Sequence, residues 1–322
     1  MNVPIMLMAV LASPYVFAEA PLKWAEAPTK DLKASLSTGV LTGGESIEYV
    51  FSRNQKQSQL NWKIDQTPII KADLSWQLNP QIQFNINGWH SLSAQASQMD
   101  DYDWLDRNHP NIVTHWSTHP DTQLNQASQI DLNLSYSLKQ RTRYQVNAVL
   151  GLQRNQFNWE AHGGSYQYAI RDNNGNYNAL DPSKDRGDFA AGRRVVAYQQ
   201  QYTLPYVGLS GRYRREKLEF NARLKYSAWV TAEDIDQHDA RRMTFRTKAK
   251  NAKYTALTLN AGYWLRPNSQ FFTEISWTDF DIAQGTTTAS QTDTQQQNSS
   301  SKNGGGLSSR YYTALIGLQY RF

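Results

Sequence analysis

The feature that most restricts the fold of this chain is a strict alternation of apolar and polar side chains along several segments. In residues 218–230 every second residue is apolar or aromatic, and Arg223 and Lys225 are among the residues between them. Residues 70–78 and 130–138 alternate in the same way. Successive side chains of a β-strand point to opposite faces, so each segment has one apolar and one polar face. The pattern is typical of a transmembrane barrel, whose strands meet lipid on one face and the lumen on the other, although a soluble β-sandwich could produce it too.

The end of the chain carries the same signal. Residues 312–322 alternate up to a terminal aromatic residue, Phe322, and a last strand of this kind resembles the terminal strand of bacterial outer-membrane barrels. Aromatic residues make up 12% of the chain, with 18 Tyr and 10 Trp, and membrane barrels use such residues in girdles at the two interfaces. These features favour the barrel over the sandwich.

The amino terminus predicts export. An apolar stretch, residues 3–18, ends in small residues and fits a signal peptide in residues 1–20, cleaved near 18–20. No other segment supplies the ~20 apolar residues that a spanning helix needs, so a helical membrane protein is excluded. The chain has no cysteine, and a closed barrel, whose backbone hydrogen bonds are all internal, can stabilise an exported chain without disulfides. Residues 21–322 are therefore expected to form a single barrel domain.

Turn-forming residues divide the mature chain into ten segments, an even number as bacterial barrels use. The predicted strands are 34–52, 59–78, 81–98, 124–139, 142–161, 190–213, 218–233, 243–266, 270–285 and 309–322. Short turns alternate with long polar connections at 99–123, 162–189 and 286–308, and in such barrels the short turns face the periplasm. The predicted fold is all-β: a ten-stranded antiparallel transmembrane β-barrel with extended extracellular loops.

Two acidic clusters follow the third and the seventh predicted strands. Asp101 and Asp103 are two residues apart, as are Asp236 and His238, so in an extended backbone each pair shares a face at the barrel mouth. An Asp beside a His orients the imidazole and favours its charged form, and a second acidic pair could polarise a water molecule. The clusters thus suit water-mediated hydrolysis. The alternative is that they are solvated or bind divalent cations. Phosphate-binding, zinc-peptidase and serine-hydrolase signatures are absent from the sequence.

Seven short strings resemble, in order, the omptin family of outer-membrane aspartate–histidine endopeptidases, and they span nearly the whole mature chain. The strings are LNWK at 60–63, MDDYDW at 99–104, HPDTQLN at 119–125, GGSY at 163–166, LPYVGL at 204–209, DIDQH at 234–238 and NAGY at 260–263. The resemblance implies a ten-stranded barrel that projects above the membrane and carries an endopeptidase groove at its extracellular mouth.

The resemblance also implies roles for the two pairs. Asp101 and Asp103 match the family's acidic couple, and Asp236 and His238 match its catalytic dyad. A water held between Asp101 and His238 would attack the scissile carbonyl, with His238 as general base and Asp236 as its orienting partner. Neither a metal nor another cofactor is implied. The expected protein is a monomer in the bacterial outer membrane that cuts polypeptides with basic residues and whose active site faces the cell exterior.

Substrate preference follows from the same resemblance. The family's pocket for a basic side chain before the cut matches Asp234 and, after a one-residue insertion, Glu48. Cleavage C-terminal to Arg or Lys is therefore expected, through charge-assisted hydrogen bonds. The acidic residue that family members use for a basic residue after the cut is replaced by His115, so a strict preference for two basic residues is not expected.

Omptins are held to need lipopolysaccharide, bound by basic residues on the outer wall. The chain keeps little of that motif at the four matching positions, which are Leu152, Arg154, Gln156 and Gln201. A basic strip of Arg246, Lys248 and Lys250 could still meet phosphates. The net charge of +5 suits an anionic membrane surface, and for an exported chain that surface is expected rather than nucleic acid. Lipopolysaccharide is an expected partner, and its role as activator is left open.

Other interpretations of these residues stay open. Ser117 and His119 are two apart and could form a nucleophilic Ser–His pair, although no third member is identifiable. His90, His109 and His162 have no acidic partner at matching spacing and are expected to be structural or solvated.

Two other functions compete with the peptidase. A non-catalytic barrel would act as an adhesin or receptor for basic ligands at its acidic mouth. A diffusion pore is disfavoured because ten strands leave a narrow lumen, filled here by side chains such as Glu219, Arg223 and Lys225.

Overall fold

The structure, a computed structural model, describes residues 32–294 and 297–322. The predicted signal peptide, residues 1–20, lies outside the described residues. All regular elements of the described part are β-strands. The strands are β1 (Leu32–Ser52), β2 (Gln55–Ile64), β3 (Thr67–Gln77), β4 (Ile82–Ser91), β5 (Gln95–Asp103), β6 (His115–Gln140), β7 (Tyr144–His162), β8 (Ser165–Ala169), β9 (Lys184–Asp188), β10 (Arg194–Arg215), β11 (Leu218–His238), β12 (Met243–Arg266), β13 (Ser269–Gln291) and β14 (Gln297–Arg321). No helix in this part of the chain is long and apolar enough to cross a membrane.

Ten strands close into an antiparallel ring in the order β1, β3, β4, β6, β7, β10, β11, β12, β13 and β14. The ring is closed by β14, which pairs with β1 from Lys33–Arg321 to Val50–Gly305. A closed ring has no free edge that could pair with another chain. The predicted fold class and number of barrel strands are confirmed.

The long strands β1 and β6 each pair with two shorter strands in succession. Strand β1 pairs with β3 through residues 32–41 and with β2 through residues 44–52, while β6 pairs with β4 at one end and with β5 at the other. Each of the predicted strands 59–78 and 81–98 therefore forms two segments. We call the end of the barrel that carries β2, β5, β8 and β9 the upper half, and the opposite end the lower half.

The apolar face points outward in the lower half. Phe220 and Leu224 each expose 47% of their surface, whereas Glu219 and Lys225 expose only 6% and 7%. A soluble sandwich would bury its apolar side chains. Their exposure here indicates a membrane barrel. Apolar side chains in contact with lipid satisfy the hydrophobic effect without an apolar lumen.

The pattern reverses in the upper half. Trp62, Phe157, Trp159 and Tyr198 are buried inside the barrel. Trp62 stacks on Tyr198 with 4.9 Å between ring centroids, and Phe157 stacks on Trp159 at 5.7 Å. These rings fill the lumen with a packed aromatic core, which supports the side chains at the upper end.

The upper strands are longer than predicted. The predicted long loops are wrong in extent, because most of their residues belong to strands. Strand β5 runs to Asp103 and β6 begins at His115, so only residues 104–114 of the predicted loop 99–123 are irregular. Strands β8 and β9 lie within the predicted loop 162–189, and β13 and β14 extend into 286–308. The physical reason is that water lies outside the upper half, so polar residues occupy its outer face and the apolar alternation disappears although the strand continues.

The lumen of the lower half is closed by buried polar groups. The Lys225 ammonium lies 2.5 Å from Asp131 Oδ2 and 3.0 Å from Gln153 Oε1, and the Tyr206 hydroxyl donates to Asp131 at 2.9 Å. A polar cavity of about 240 Å³ lies in the same half. This arrangement agrees with the prediction that side chains fill the lumen.

Candidate active site

The Asp236–His238 pair ends strand β11 in the upper half. Asp236 is the register partner of Tyr198, and His238 that of Val196. Asp236 Oδ2 lies 2.6 Å from His238 Nε2, and the two side chains expose 3% and 13% of their surface. Phe245 packs edge-on against the imidazole, with 5.5 Å between centroids. The ring is held in one orientation, and Nδ1 is the nitrogen left for a reactant.

Charge at this pair favours the protonated imidazole. Burial acts to lower the pKa of His238, but the adjacent Asp236 carboxylate and its hydrogen bond outweigh burial, so the pKa is raised above its ordinary value. Asp236 Oδ1 is buried without a hydrogen-bond partner in the described part of the chain. An imidazole of raised basicity beside a carboxylate can take a proton from water.

The acidic couple lies on β5. Asp101 pairs in register with Leu60 and Ser117, and Asp103 with Ser58 and His115. Both side chains are half-buried, and the Ser58 hydroxyl donates to Asp101 Oδ1 at 3.4 Å.

Burial makes both carboxyls of the couple hard to ionise. Burial, followed by the charge of Asp103, raises the pKa of Asp101 to about 7, and burial raises that of Asp103. A carboxyl whose pKa is near 7 keeps its proton part of the time at neutral pH. The couple can therefore both accept and donate hydrogen bonds to a water or to a polarised carbonyl.

The two pairs face each other across the barrel mouth. Strands β5 and β11 are not neighbours in the sheet, yet Asp101 and His238 lie close enough that each alters the pKa of the other. The structure thus brings together all four residues that the sequence singled out, on two strands rather than in the predicted loops.

A second acidic group is buried beside the dyad. Glu48 exposes 3% and Asp234 exposes 4% of its surface. The Thr247 amide donates to Asp234 Oδ1 at 2.6 Å, while Asp234 Oδ2 and Glu48 Oε2 have no partner among the described residues. Burial, then the charges of Asp236, Asp234 and Asp101, raises the pKa of Glu48 well above its usual range, and burial does the same for Asp234. Unpartnered buried carboxyls are costly, and a guanidinium or ammonium group would satisfy them.

Ser117 and His119 form a buried, hydrogen-bonded pair on β6. Ser117 Oγ lies 3.0 Å from His119 Nε2, and His119 Nδ1 lies 2.5 Å from the Gly163 carbonyl oxygen. Nδ1 therefore carries the proton, and the serine hydroxyl donates to Nε2. The side chains expose 3% and 1% of their surface, and burial lowers the pKa of His119. The third member of this group is a backbone carbonyl, which sequence reasoning could not identify.

His109 is structural, as expected, and its acidic partner is three residues away rather than at the matching spacing of two. Its Nδ1 lies 2.9 Å from Asp106 Oδ2, because the chain turns at residues 106–109 and brings residues three apart together. His90 Nδ1 lies 2.6 Å from the Ser91 carbonyl oxygen, and His162 ends β7.

Sequence reasoning missed three neighbours of the site. Tyr168 on β8 is the register partner of His115, and its hydroxyl is close enough to Asp101 that this charge helps burial to raise the pKa of Tyr168. Tyr177 contacts His115 from the β8–β9 connection. Arg241, in the turn after β11, acts on Asp101, Asp103 and His238. The GGSY string just before Tyr168 was the available signal, whereas nothing local marks Tyr177.

The expected lipid-binding residues lie on the outer wall. Arg246, Lys248 and Lys250 are exposed at alternate positions of β12, and Lys248 forms an ion pair with Glu233 on β11. Leu152 exposes 61% of its surface, and Arg154 donates to Gln201 Oε1 at 2.5 Å. Within residues 32–294 and 297–322 no cluster of three or more His, Cys, Asp or Glu side chains could hold a metal ion.

Comparison with known proteins gives consistent matches over the whole barrel. The model of the Omptin family matches residues 28–322. The chain is 38% identical over 287 residues to a plasminogen activator of Yersinia pestis, covering 89% of this chain and 88% of that protein. It is 35% identical over 261 residues to Protease 7 of Escherichia coli K12, covering 80% of each. The crystal structure of the outer membrane protease OmpT from Escherichia coli superposes with a TM-score of 0.84 at 35% identity, covering 91% of this chain and 98% of that one.

Proposed function

The chain belongs to the omptin family, and on that premise we propose that it cuts polypeptides after Arg or Lys, with a water activated between the Asp236–His238 dyad and the Asp101–Asp103 couple. Membership makes it an outer-membrane endopeptidase, since its relatives are named proteases. The position of the cut and the mechanism are the proposal. One observation carries them: the hydrogen-bonded pair of Asp236 and His238, 2.6 Å apart, lies near an acidic couple in which the pKa of Asp101 is raised to about 7.

The proposed step is a general-base attack by water. His238 Nδ1 takes a proton from a water that is also hydrogen-bonded to Asp101, and the water oxygen forms a bond to the scissile carbonyl carbon. Asp236 holds the ring and stabilises the imidazolium. Asp101 and Asp103 stabilise the negative charge on the carbonyl oxygen through the proton that Asp101, with its pKa raised to about 7, can hold. Collapse of the intermediate breaks the C–N bond, and His238 returns its proton to the leaving amine.

The buried carboxyls of Glu48 and Asp234 would hold the side chain before the cut. Each has one oxygen without a hydrogen-bond partner among the described residues, and the charges of Asp236 and Asp234 both act on Glu48. A guanidinium group fits two carboxyls through several N–H donors, and an ammonium group through one charge. Replacing the Arg of a substrate by citrulline, which keeps the shape but not the charge, should lower kcat/KM by about 10²-fold or more, since each charged hydrogen bond contributes about 1.5–3 kcal/mol.

Orientation and lipid are also part of the proposal. The mouth with the acidic groups would face the cell exterior, and residues 1–20 would direct export. The protein would act as a monomer, with lipopolysaccharide against the strip formed by Arg246, Lys248 and Lys250. Because Lys248 is already paired with Glu233, activation by lipopolysaccharide would be moderate. Assaying the refolded protein with and without lipopolysaccharide measures this directly.

A quenched peptide with a single Arg tests the mechanism. The refolded protein should cut it after that Arg, and His238→Ala and Asp101→Asn should each lower kcat/KM by about 10²–10⁴-fold. Ser117→Ala should retain cleavage, because the attacking oxygen comes from water. Loss of all cleavage in Ser117→Ala alone would favour the Ser–His alternative. Binding of the peptide without any cleavage, with or without lipopolysaccharide, would favour a non-catalytic receptor and overturn the proposal.

A further inference from the structure

Four cations meet at the lower end of the lumen. Lys33 is the second residue of β1 and pairs in register with Arg321, the last residue of β14. Arg212 and Arg214 lie near the end of β10, on the opposite side of the ring from β1. The charges of the other three residues nevertheless act on Lys33, so the four charges lie close together across the lumen. We call these four residues the lower cation group.

The carboxylate of Glu219 lies beside the lower cation group. It acts on both Lys33 and Arg321 and is the register partner of Arg214. A single carboxylate offsets only one of the positive charges. In the described part of the chain no carboxylate forms an ion pair with Lys33, Arg212 or Arg321, so the group keeps an excess of positive charge.

Two buried donors next to the group are unsatisfied. Arg321 Nε and Gln270 Nε2 have no hydrogen-bond partner among the described residues, and Gln270 exposes only 2% of its surface. A Cβ at Gly262, the register partner of Glu219, would lie 2.3 Å from Gln270 Nε2, so this amide is next to the same carboxylate. A buried donor without an acceptor is costly. An anion that accepts hydrogen bonds from both donors would remove that cost.

The polar cavity of about 240 Å³ borders these groups. Lys33, Arg212, Glu219 and Gln270 line it, and Arg223 adds a further cation to its wall. One water in the liquid occupies about 30 Å³, so the cavity has room for a small oxyanion and several waters. Because Lys33 is one residue from the lower end of β1, this end of the cavity is near the lower rim of the barrel.

The other lysines of the cavity are paired within the chain. Lys71 forms ion pairs with Asp73 and Glu274 at 3.3 and 2.6 Å, and Lys225 pairs with Asp131 at 2.5 Å. The excess of positive charge in the cavity therefore lies mainly in the lower cation group.

We propose that the lower cation group binds a small free oxyanion, with the charge and size of inorganic phosphate, that enters from the lower rim of the barrel. Arg212 and Arg321 offer N–H donors in the fork geometry that suits oxyanions, and Lys33 supplies a compact charge. Gln270 adds a neutral donor. A divalent anion would offset much of the excess charge, and burial leaves that attraction only weakly screened by salt. The site is in the opposite half of the barrel from the catalytic groups, and the inference does not rest on the proposed function.

Phosphate binding can be measured on the refolded full-length protein in micelles of an uncharged detergent that contains no phosphate. Sodium phosphate at pH 7 is titrated in a calorimeter while sodium chloride is lowered to keep the ionic strength constant. We expect saturable binding of one phosphate per chain with a Kd below about 1 mM, and competition by sulfate. Phosphate should also raise the urea midpoint of unfolding, because a ligand that binds only the folded state stabilises it. Absence of saturable binding, or equal stabilisation by chloride, would overturn the inference.

Three variants locate the bound phosphate. Arg212→Gln should weaken binding by at least about 10-fold, because a charge-assisted hydrogen bond is lost. Gln270→Leu, which keeps every charge, should weaken it about threefold. Arg246→Gln, which removes an exposed cation from the outer wall, is the matched control and should leave the affinity unaltered. Binding that is lost in Arg246→Gln and kept in Arg212→Gln would place the phosphate on the outer strip, where lipid phosphates are expected, and would contradict the inference.

Stability without phosphate shows whether Arg212 is free to bind a ligand. Removal of an uncompensated cation relieves repulsion between like charges, so Arg212→Gln should be at least as stable to urea as the parent in phosphate-free buffer. Phosphate should no longer raise its midpoint. The rate at which the variant cuts a quenched peptide with a single Arg should equal that of the parent. A variant that is much less stable than the parent without phosphate would show that Arg212 is already paired within the protein, and the inference would fail.

Discussion

Asp106 Oδ2 accepts a hydrogen bond from the Ala179 amide at 2.9 Å and thereby joins the β5–β6 connection to the β8–β9 connection. Its other oxygen accepts from the Asn108 amide at 2.8 Å, and His109 Nδ1 donates to Oδ2 at 2.9 Å. The carboxylate exposes only 3% of its surface. Tyr177, two residues before Ala179, contacts His115 from the same connection, so Asp106 helps to fix the position of Tyr177.

Asp106→Asn should loosen the β8–β9 connection. The variant loses charge-assisted acceptors, each worth about 1.5–3 kcal/mol, so amide exchange at Ala179 should accelerate by at least about 10-fold. Hydrogen exchange followed by mass spectrometry measures this effect. Unchanged exchange at Ala179 would show that the connection is held by other contacts.

Asp106 should keep its hydrogen bond from the Ala179 amide at pH 4 and lose it only at lower pH. The hydrogen bond from the Ala179 amide, followed by hydrogen bonds from His109 and Asn108, outweighs burial. Together they lower the pKa of Asp106 to about 2, below its ordinary value of 3.8. A carboxyl whose pKa is lower in the folded state stabilises that state above pH 3.8, and the contribution disappears as the pH falls toward 2. The protection factor of the Ala179 amide, which is the intrinsic exchange rate at each pH divided by the observed rate, should therefore persist at pH 4 and fall between pH 4 and 2. A fall already complete at pH 5 would contradict this.

The pH profile of cleavage should depend on Asp236. Because Asp236 raises the pKa of His238, the acidic limb of kcat/KM should lie above the ordinary histidine value of 6.5, as the neutral imidazole is the base. Asp236→Asn removes the carboxylate, so the limb should move to lower pH while kcat drops by about 10²–10⁴-fold. Rates measured from pH 5 to 9 give both values. An acidic limb that does not move in Asp236→Asn would exclude His238 as the titrating base.

Binding of an Arg side chain should release protons from the acidic pocket. Burial and neighbouring charges raise the pKa of Glu48, so the empty pocket binds protons more tightly than a solvated carboxyl does, and a guanidinium group competes with them. Titration of His238→Ala with an Arg peptide in buffers of different ionisation enthalpy should show net release, and affinity should increase from pH 6 to pH 8. Glu48→Gln should reduce the number of protons released. Equal heats in all buffers would show that the carboxylates are already ionised.

The buried carboxyl of Glu48 should lower the free energy of unfolding at high pH. A buried carboxyl with a raised pKa destabilises the folded state as the pH rises toward that pKa, because the unfolded chain ionises more readily. Glu48→Gln removes the ionisable group and keeps the volume, so it should raise stability at pH 8 by about 1–3 kcal/mol, and less at pH 5. Urea unfolding at the two pH values tests this. A variant less stable than the parent at pH 8 would point to an ion pair for Glu48.

The lower half of the barrel could be predicted from sequence because lipid imposes an apolar outer face. The strand predicted at 243–266 matches β12 at both ends, and the turn at 267–268 is found where it was expected. In the upper half water lies outside and aromatic residues lie inside, so strand β6 begins nine residues before its predicted start at residue 124. There the hydrogen-bonded ladder continues without a hydrophobic period to reveal it.

The candidate site could be predicted only as far as local geometry reaches. Asp101 with Asp103, and Asp236 with His238, share a face because a strand repeats every two residues, and that holds whether the segment is read as loop or strand. The approach of Tyr177 to His115 depends on Asp106, which is distant in sequence. Contacts of that kind leave no periodic trace, so a single sequence does not show them.

Loss of one partner of the Lys225–Asp131 ion pair should destabilise the barrel, whereas replacement of both partners should cost much less stability. Asp131 is fully buried and the Lys225 side chain exposes 9% of its surface. Lys225→Met leaves the Asp131 carboxylate without its cation and should destabilise the barrel by about 3–5 kcal/mol, whereas Lys225→Met with Asp131→Asn removes both charges and should recover most of that loss. Urea unfolding in detergent micelles compares the two. A double variant no more stable than the single one would show that the Tyr206 and Gln153 hydrogen bonds, which the double variant also disturbs, contribute more than the charges. Peptidase activity of the refolded double variant should remain, because the pair lies in the lower half, beneath the aromatic core that supports the catalytic groups.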